Sequence, residues 1–281
     1  MDNQIAGVIA GFDTHGQTHA GVALDPLGRV LERKEFPASS AGYRCAHRWL
    51  LERGPIVRVG IESTSCFGAG LTRHLVAEGV DVVEVNQPHA HTRARRGKDD
   101  FIDAEAAARK ALSGEATGAA KDSTGIVESI RQLKVARNGA IKARTAALSQ
   151  LGTLITTAPA ELREQIEDGP RSLTAKATRC RRLRVTGSSD QPIVAAKLAL
   201  RSIARRIANL DAEIAEIDEE LKPLVGKATP TTISRTGIGI QHAATLLIAA
   251  GENIDRFGSE RAFAKLCATA PLPASSGQIT R

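Results

Sequence analysis

Apolar and polar positions along the first third of the chain alternate in short blocks. Residues 5–13 are nearly all apolar and end on Asp13, which reads as a buried strand leaving the sheet on an acid. Residues 19–25 form a second strand, 26–29 a Pro/Gly turn, and 30–36 a third strand closed by Pro37, so the opening is a three-stranded antiparallel meander. Residues 41–53 change to helical spacing, with Ala46, Trp49 and Leu50 on one side. Residues 56–62 are a strand that again ends on an acid, Glu62. Residues 67–78 follow as a helix with Leu71, Leu75 and Val76 apolar, and 80–85 as a fifth strand. Asn86 to Pro88 breaks the pattern. A basic run with Arg93, Arg95, Arg96 and Lys98 then leads into Asp100 and Asp103 at a helix start.

Beyond this point the period is helical. Ile126, Ile130, Leu133, Ala136, Ala140 and Ala147 predict one long helix over 123–155. Pro159, Gly169-Pro170 and a loop at 187–190 punctuate the next segment. Leu200, Ile203, Ile207, Leu210, Ile214, Ile217, Leu221 and Leu224 alternate spacings of three and four, a heptad seam predicted to end near Pro223. Such a helix pairs with another chain or folds back on the 123–155 helix. Residues 233–249 read as helix, Gly237-Ile-Gly239 turn and helix, a helix-hairpin-helix pattern or an ordinary helical hairpin. Ile254, Phe257 and 262–266 add a short helix. The order meander, helix, strand, helix, strand, helix is the ribonuclease-H-like α/β arrangement, here followed by an all-α region. The expected domains are 1–122, a helical or coiled-coil dimerisation region over 123–226, and a C-terminal helical domain over 227–281.

Composition narrows the chemistry. The 281 residues are 42% hydrophobic and 3% aromatic, so the core rests on Ala, Leu, Ile and Val. Few aromatics argue against a protein that mainly stacks single-stranded bases. The net charge of +7 suggests a polyanionic partner. Cys45, Cys66, Cys180 and Cys267 lie far apart with no metal-ligand spacing, which fits reduced thiols in a cytoplasm. Neither a signal peptide nor a membrane span is legible.

In open α/β sheets, sites form beyond the carboxyl ends of strands. Asp13 and Glu62 stand at two such ends, on strands that this topology makes neighbours. Asp100 and Asp103 share one face of the helix that closes the unit. Taken alone, those two aspartates are equally an ordinary helix start favoured by the helix dipole. Four carboxylates at one point repel unless cations sit between them, and two Mg²⁺ ions about 3.5–4 Å apart would neutralise them and assist chemistry on phosphorus. Arg93, Arg95, Arg96 and Lys98 would hold phosphates beside them. Arg131, Lys134 and Arg137 on the first long helix, with Arg181, Arg182 and Arg184, are further candidate backbone contacts. Gly237 and Gly239 would let backbone amides approach a phosphate. Ser276 on its own belongs to a polar tail.

As a set, these residues resemble the DEDD-type insertion-sequence transposases, insertion sequence family one-ten, which include the Piv-type DNA invertases. The pattern is Asp13, Glu62 and Asp100-Phe-Ile-Asp103-Ala104, then Gly237-Ile-Gly239, Gly251 to Phe257 with Ser259, and Ala270-Pro271 to Ser276-Gly277. The resemblance implies a Holliday-junction-resolvase-like fold with a Mg²⁺-binding acid tetrad. It implies Ser276 as a nucleophile toward a DNA phosphodiester, a composite site shared between subunits, and a homodimer or tetramer joined through the heptad helix. It further implies element-end and target DNA as substrates and a structured bridge RNA as guide, placed against the basic region between 123 and 206. Family members continue through a further basic helical segment, so a chain ending at Arg281 is expected to be truncated after the serine motif. The competing expectations are a relative that only binds nucleic acid and dimerises, a Mg²⁺-dependent nuclease without a covalent step, and an actin-like ATPase suggested by Gly11-Phe-Asp-Thr14.

Overall fold

The computed structural model describes residues 7–85, 99–116, 118–121 and 123–270, and the backbone of 275–276 and 279–280. Two compact units emerge, one of Met1–Gly125 with Ala250–Arg281 and one of Ile126–Ala249.

The first unit is built on a five-stranded sheet in the order β3-β2-β1-β4-β5. Strand β1 (Val8–Thr14) is antiparallel to β2 (Thr18–Leu24), and β2 to β3 (Val30–Pro37). The chain then crosses through α1 (Ser40–Leu51) to β4 (Ile56–Glu62), which pairs parallel with β1. A second crossover through α2 (Ala69–Ala77) reaches β5 (Val82–Val85), parallel to β4. The predicted neighbourhood of first and fourth strands is therefore present, and the mixed sheet fits the ribonuclease-H-like reading. Helix α1 begins where Ser39 accepts a hydrogen bond from the Gly42 N–H, a standard N-cap. Helix α2 starts two residues later than its apolar pattern suggests. The chain first makes a turn in which the Cys66 and Gly68 N–H groups both donate to the Ser63 carbonyl.

The two faces of the sheet differ. One packs large side chains, Phe12, Phe36, Trp49, Leu50, Ile61, Leu71 and Leu75, between the strands and α1 and α2. The other carries α3 (Asp100–Ser113), whose buried stripe is Ala104, Ala107, Ala108 and Ala111 behind Asp103. Asp99 caps α3 by accepting from the Phe101 N–H, and Gly114 ends it in a left-handed conformation. The later part of this unit holds a 3₁₀ turn (Ile254–Arg256), α10 (Glu260–Leu266) and a two-stranded pair, β6 (Ser275–Ser276) with β7 (Ile279–Thr280). Asn253 Nδ2 donates to the Ala120 carbonyl at 2.8 Å.

The second unit is all helical: α4 (Ile126–Thr157), α5 (Ala160–Glu167), α6 (Leu173–Arg181), α7 (Pro192–Ala228), α8 (Pro230–Ile233) and α9 (Ile240–Ala250). Helices α4 and α7 run antiparallel. Arg137 pairs with Asp218, and about two helical turns along, Arg144 pairs with Asp211. The heptad seam is covered within the chain at both ends. Leu200, Ile203 and Ile207 share a core with Leu151, Ile155, Leu162, Ile166 and Cys180, whose thiol burial pushes up to about 11. Leu221 and Val225 share a second core with Ile130, Ala243 and Ala244. Leu210 and Ile214 between them are half-buried.

One boundary is corrected. Pro223 lies inside α7, which continues to Ala228. A proline removes one ladder hydrogen bond and crowds the preceding turn. Burial of Leu221 and Val225 on either side outweighs that loss, because both are fully enclosed. No helix among the described residues is long and apolar enough to cross a membrane.

Candidate active site

Side-chain alternation along β1 and β4 decides where the acids point. Val8, Ala10 and Phe12 enter the core under α1 and α2, so Gly11 and Asp13 face α3. Val59 and Ile61 enter that same core, so Gly60 and Glu62 also face α3. The two glycines are required by close approach. A Cβ on Gly11 would lie 2.2 Å from the Ala104 carbonyl oxygen and from the Ala108 nitrogen. On Gly60 it would lie 2.6 Å from the Ala107 carbonyl oxygen. With hydrogens there and alanines on the helix, α3 sits low on the sheet. Its first turn, bearing Asp100 and Asp103, thereby reaches the strand end.

The result is a crowded acidic end. Asp13, Glu62 and Asp103 are buried, each 8% exposed, and Asp100 is partly exposed. Burial holds the Asp13 carboxyl above the usual carboxylate range, with His15 opposing the shift and Asp100 and Asp103 adding to it. His15 Nε2 lies 3.2 Å from an Asp13 oxygen and 3.3 Å from an Asp100 oxygen, so one imidazole spans β1 and α3. Thr14 fastens the parallel pair, its hydroxyl donating to the Glu62 carbonyl at 2.9 Å. Ser63, directly after Glu62, has φ 61°, a left-handed conformation that costs a non-glycine residue on the order of 1 kcal/mol. The turn beyond it brings exposed Phe67 against Gly16 in the β1–β2 loop.

The structure thus brings Asp13, Asp100 and Asp103 together and places Glu62 at the end of the adjoining strand. His15 was missed from sequence. Its signal was its position two residues after a strand-end acid. The second missed signal is the repeated glycine two residues before each strand acid. One ligand atom from each of Asp13, His15 and Asp100 lies within 4.8 Å of the others. A carboxylate whose charged form is penalised first by burial and then by neighbouring acids is a donor suited to a hard divalent cation.

The other candidates are dispersed. Arg93, Arg95, Arg96, Lys98 and the side chain of Ser276 lie outside the described residues. The Ser276 backbone is in β6, opposite Ile279. Arg131 makes a two-point contact with Glu128, Lys134 Nζ donates to the Gln241 carbonyl and side chain, and Arg137 grips Asp218. Arg181, Arg182 and Arg184 are exposed. Arg182 and Arg184 line a cavity of ≈ 410 Å³ with Arg179 and Lys197. Gly237 adopts φ 86° in the turn before α9, and Gly239 precedes that helix with open space around it.

An acid cluster at the carboxyl ends of adjoining strands, on a sheet that fits the ribonuclease-H-like reading, is an arrangement compatible with enzymes that act on nucleic acid phosphodiesters. The family comparisons are more specific. Residues 10–158 match the family model of DEDD transposases of the IS110 type, described as Transposase, and residues 232–281 match the Transposase IS116/IS110/IS902 family. The chain belongs to the IS110 family of DEDD transposases. DNA is accordingly its substrate class. No curated protein matches it.

Proposed function

We propose that this chain cuts and rejoins DNA strands at the ends of an insertion sequence, using Asp13, Glu62, Asp100 and Asp103 as ligands for Mg²⁺ and Ser276 as nucleophile. The observation that supports the reading is Asp13 meeting the N-terminal turn of α3, with His15 between Asp13 and Asp100, and Glu62 standing at the end of the adjoining strand. Bound Mg²⁺ would supply countercharge to the carboxylates and to a phosphodiester held there. In the proposed step the Ser276 oxygen forms a bond to phosphorus, one phosphodiester oxygen leaves, and the serine proton passes to solvent or a nearby base. The covalent link retains the energy of the broken ester, so a second DNA hydroxyl can reverse the step onto a new partner. His15 would orient Asp13 and Asp100 toward one another, as partners behind a metal ligand do.

The exposed Arg181, Arg182 and Arg184, with Arg93, Arg95, Arg96 and Lys98, would hold backbone phosphates of DNA and of a bridge RNA. Gly237 and Gly239 would admit a further phosphate. The half-buried middle of the α7 seam, at Leu210 and Ile214, is where a second copy would pair, giving a dimer or tetramer.

The test is strand exchange on supercoiled DNA carrying the element ends, with Mg²⁺ and the element's own RNA. Joined product and a trapped protein–DNA adduct are expected from the unaltered protein. The adduct should vanish in Ser276→Ala and product in Asp13→Asn. Cut but unjoined DNA without any adduct would leave a metal-dependent nuclease and sink the serine step. RNA and DNA binding without product would leave the binding-only relative.

A further inference from the structure

On the sheet face away from α3, helices α1 and α2 bring together three side chains that the transposase reading does not use: His47, His74 and Glu78. His74 and Glu78 are one turn apart at the end of α2, where the Glu78 N–H donates to the His74 carbonyl at 3.1 Å. Helical spacing of four puts both side chains on one face. His47 comes from α1, whose Ala46 and Leu50 share a core with Leu71 and Leu75 of α2. The two imidazoles meet edge to face, with centroids 5.9 Å apart at 82°. His47 Nδ1 is 4.0 Å from Glu78 Oε2. One ligand atom from each of the three lies within 4.8 Å of the others. Independently, His74 Nε2 is shut off from solvent and has no hydrogen-bond partner among the described residues. A buried ring nitrogen without a partner bears the full cost of losing its hydration.

The geometry points to a second metal site, in which His47, His74 and Glu78 take a borderline transition-metal ion, Zn²⁺ before Mg²⁺. Two imidazole nitrogens and one carboxylate suit Zn²⁺, whereas Mg²⁺ takes oxygen donors such as the acid cluster offers. Zinc bonds of about 2.0–2.2 Å in tetrahedral array set ligand atoms roughly 3.3 Å apart. The present separations close to that by side-chain rotation, because the Glu78 side chain is 48% exposed and can swing inward. Three protein ligands leave a fourth position for water. The ion would tie α2 to α1 and give His74 its missing partner. Because α2 follows the Ser63 turn, the tie also steadies the segment carrying Glu62. A His47–Glu78 ion pair is the competing account of the same contact.

The experiment uses the full chain, stripped with chelator and titrated with Zn²⁺ in millimolar Mg²⁺. One Zn²⁺ per chain at micromolar affinity or tighter is expected, with a raised melting temperature, and Co²⁺ should give the visible bands of a four-coordinate site. Glu78→Gln, on an exposed side chain that leaves the core untouched, should weaken Zn²⁺ binding about tenfold or more. His47→Ala should abolish it, and Asp13→Asn should leave it unchanged. No Zn²⁺ uptake, uptake undiminished by Glu78→Gln and His47→Ala, or uptake lost with Asp13→Asn would each overturn the assignment.

Discussion

The two faces of the five-stranded sheet solve opposite problems with the same strands. Under α1 and α2, Phe12, Trp49, Leu50 and Ile61 fill space, and the helices ride on bulky side chains. Under α3, Gly11 and Gly60 remove side chains altogether, and alanines meet backbone. The first face stabilises by area removed from water. The second gives up some of that area to set a helix N-terminus within reach of two strand ends. The difference teaches that stability and site geometry are carried by different faces, so their losses should separate on mutation.

The largest expected effect is at the acids. Asp103→Asn or Asp13→Asn should lower strand exchange by about a thousandfold or more, roughly 4 kcal/mol of barrier, and the metal-free stability of Asp13→Asn should hold or rise. A loss under tenfold would break the division between the faces. Next, Phe12→Ala should destabilise by about 3–5 kcal/mol through a cavity, measured by denaturant unfolding. Gly11→Ala should cost about 1–3 kcal/mol through overpacking against Ala104 and Ala108, yet lose more activity than Phe12→Ala at matched stability. Equal activity loss per unit of stability in the two variants would erase the contrast.

A pH series sharpens it further. Asp13 is held above the usual range when folded, so the folded state binds the extra proton. Without divalent metal, stability should therefore fall as pH rises from the ordinary carboxylate range through Asp13's raised value, by at most about 1.4 kcal/mol per pH unit. Asp13→Asn should flatten that slope, and Mg²⁺ should reverse the loss above it. The smallest effect is expected in the helical unit. A double-mutant cycle on Arg137 and Asp218 should give a coupling of about 1 kcal/mol, and one on Arg144 and Asp211 less, since they are more exposed.

Much of the first unit was legible in the residues. Strand alternation, the Pro37 stop and the acids closing two strands predict the sheet order, because a period of two leaves few ways to bury Val8, Ala10 and Phe12 together. In the helical unit, period alone could not say what covers the seam. That depended on α4, α6 and α9 arriving from distant parts of the chain, and the same arrivals carried α7 past Pro223. The place of His15 two residues after a strand-end acid is legible, but its reach to an oxygen on α3 is not, because α3 lies far along the sequence. Nor are His47 and His74 legible as a pair, since they read as ordinary helix residues until α1 and α2 are laid side by side.

By itself the sequence determined which residues alternate, where acids end strands, and that glycine precedes each of them by two positions. These are local facts, set by backbone period and side-chain size. Only the tertiary structure decided that both glycines meet one helix, that His15 spans two carboxylates, and that a ring nitrogen of His74 is buried without a partner. Those are distances between segments that pack together only after hydrophobic burial has fixed the layers, and no local pattern encodes them.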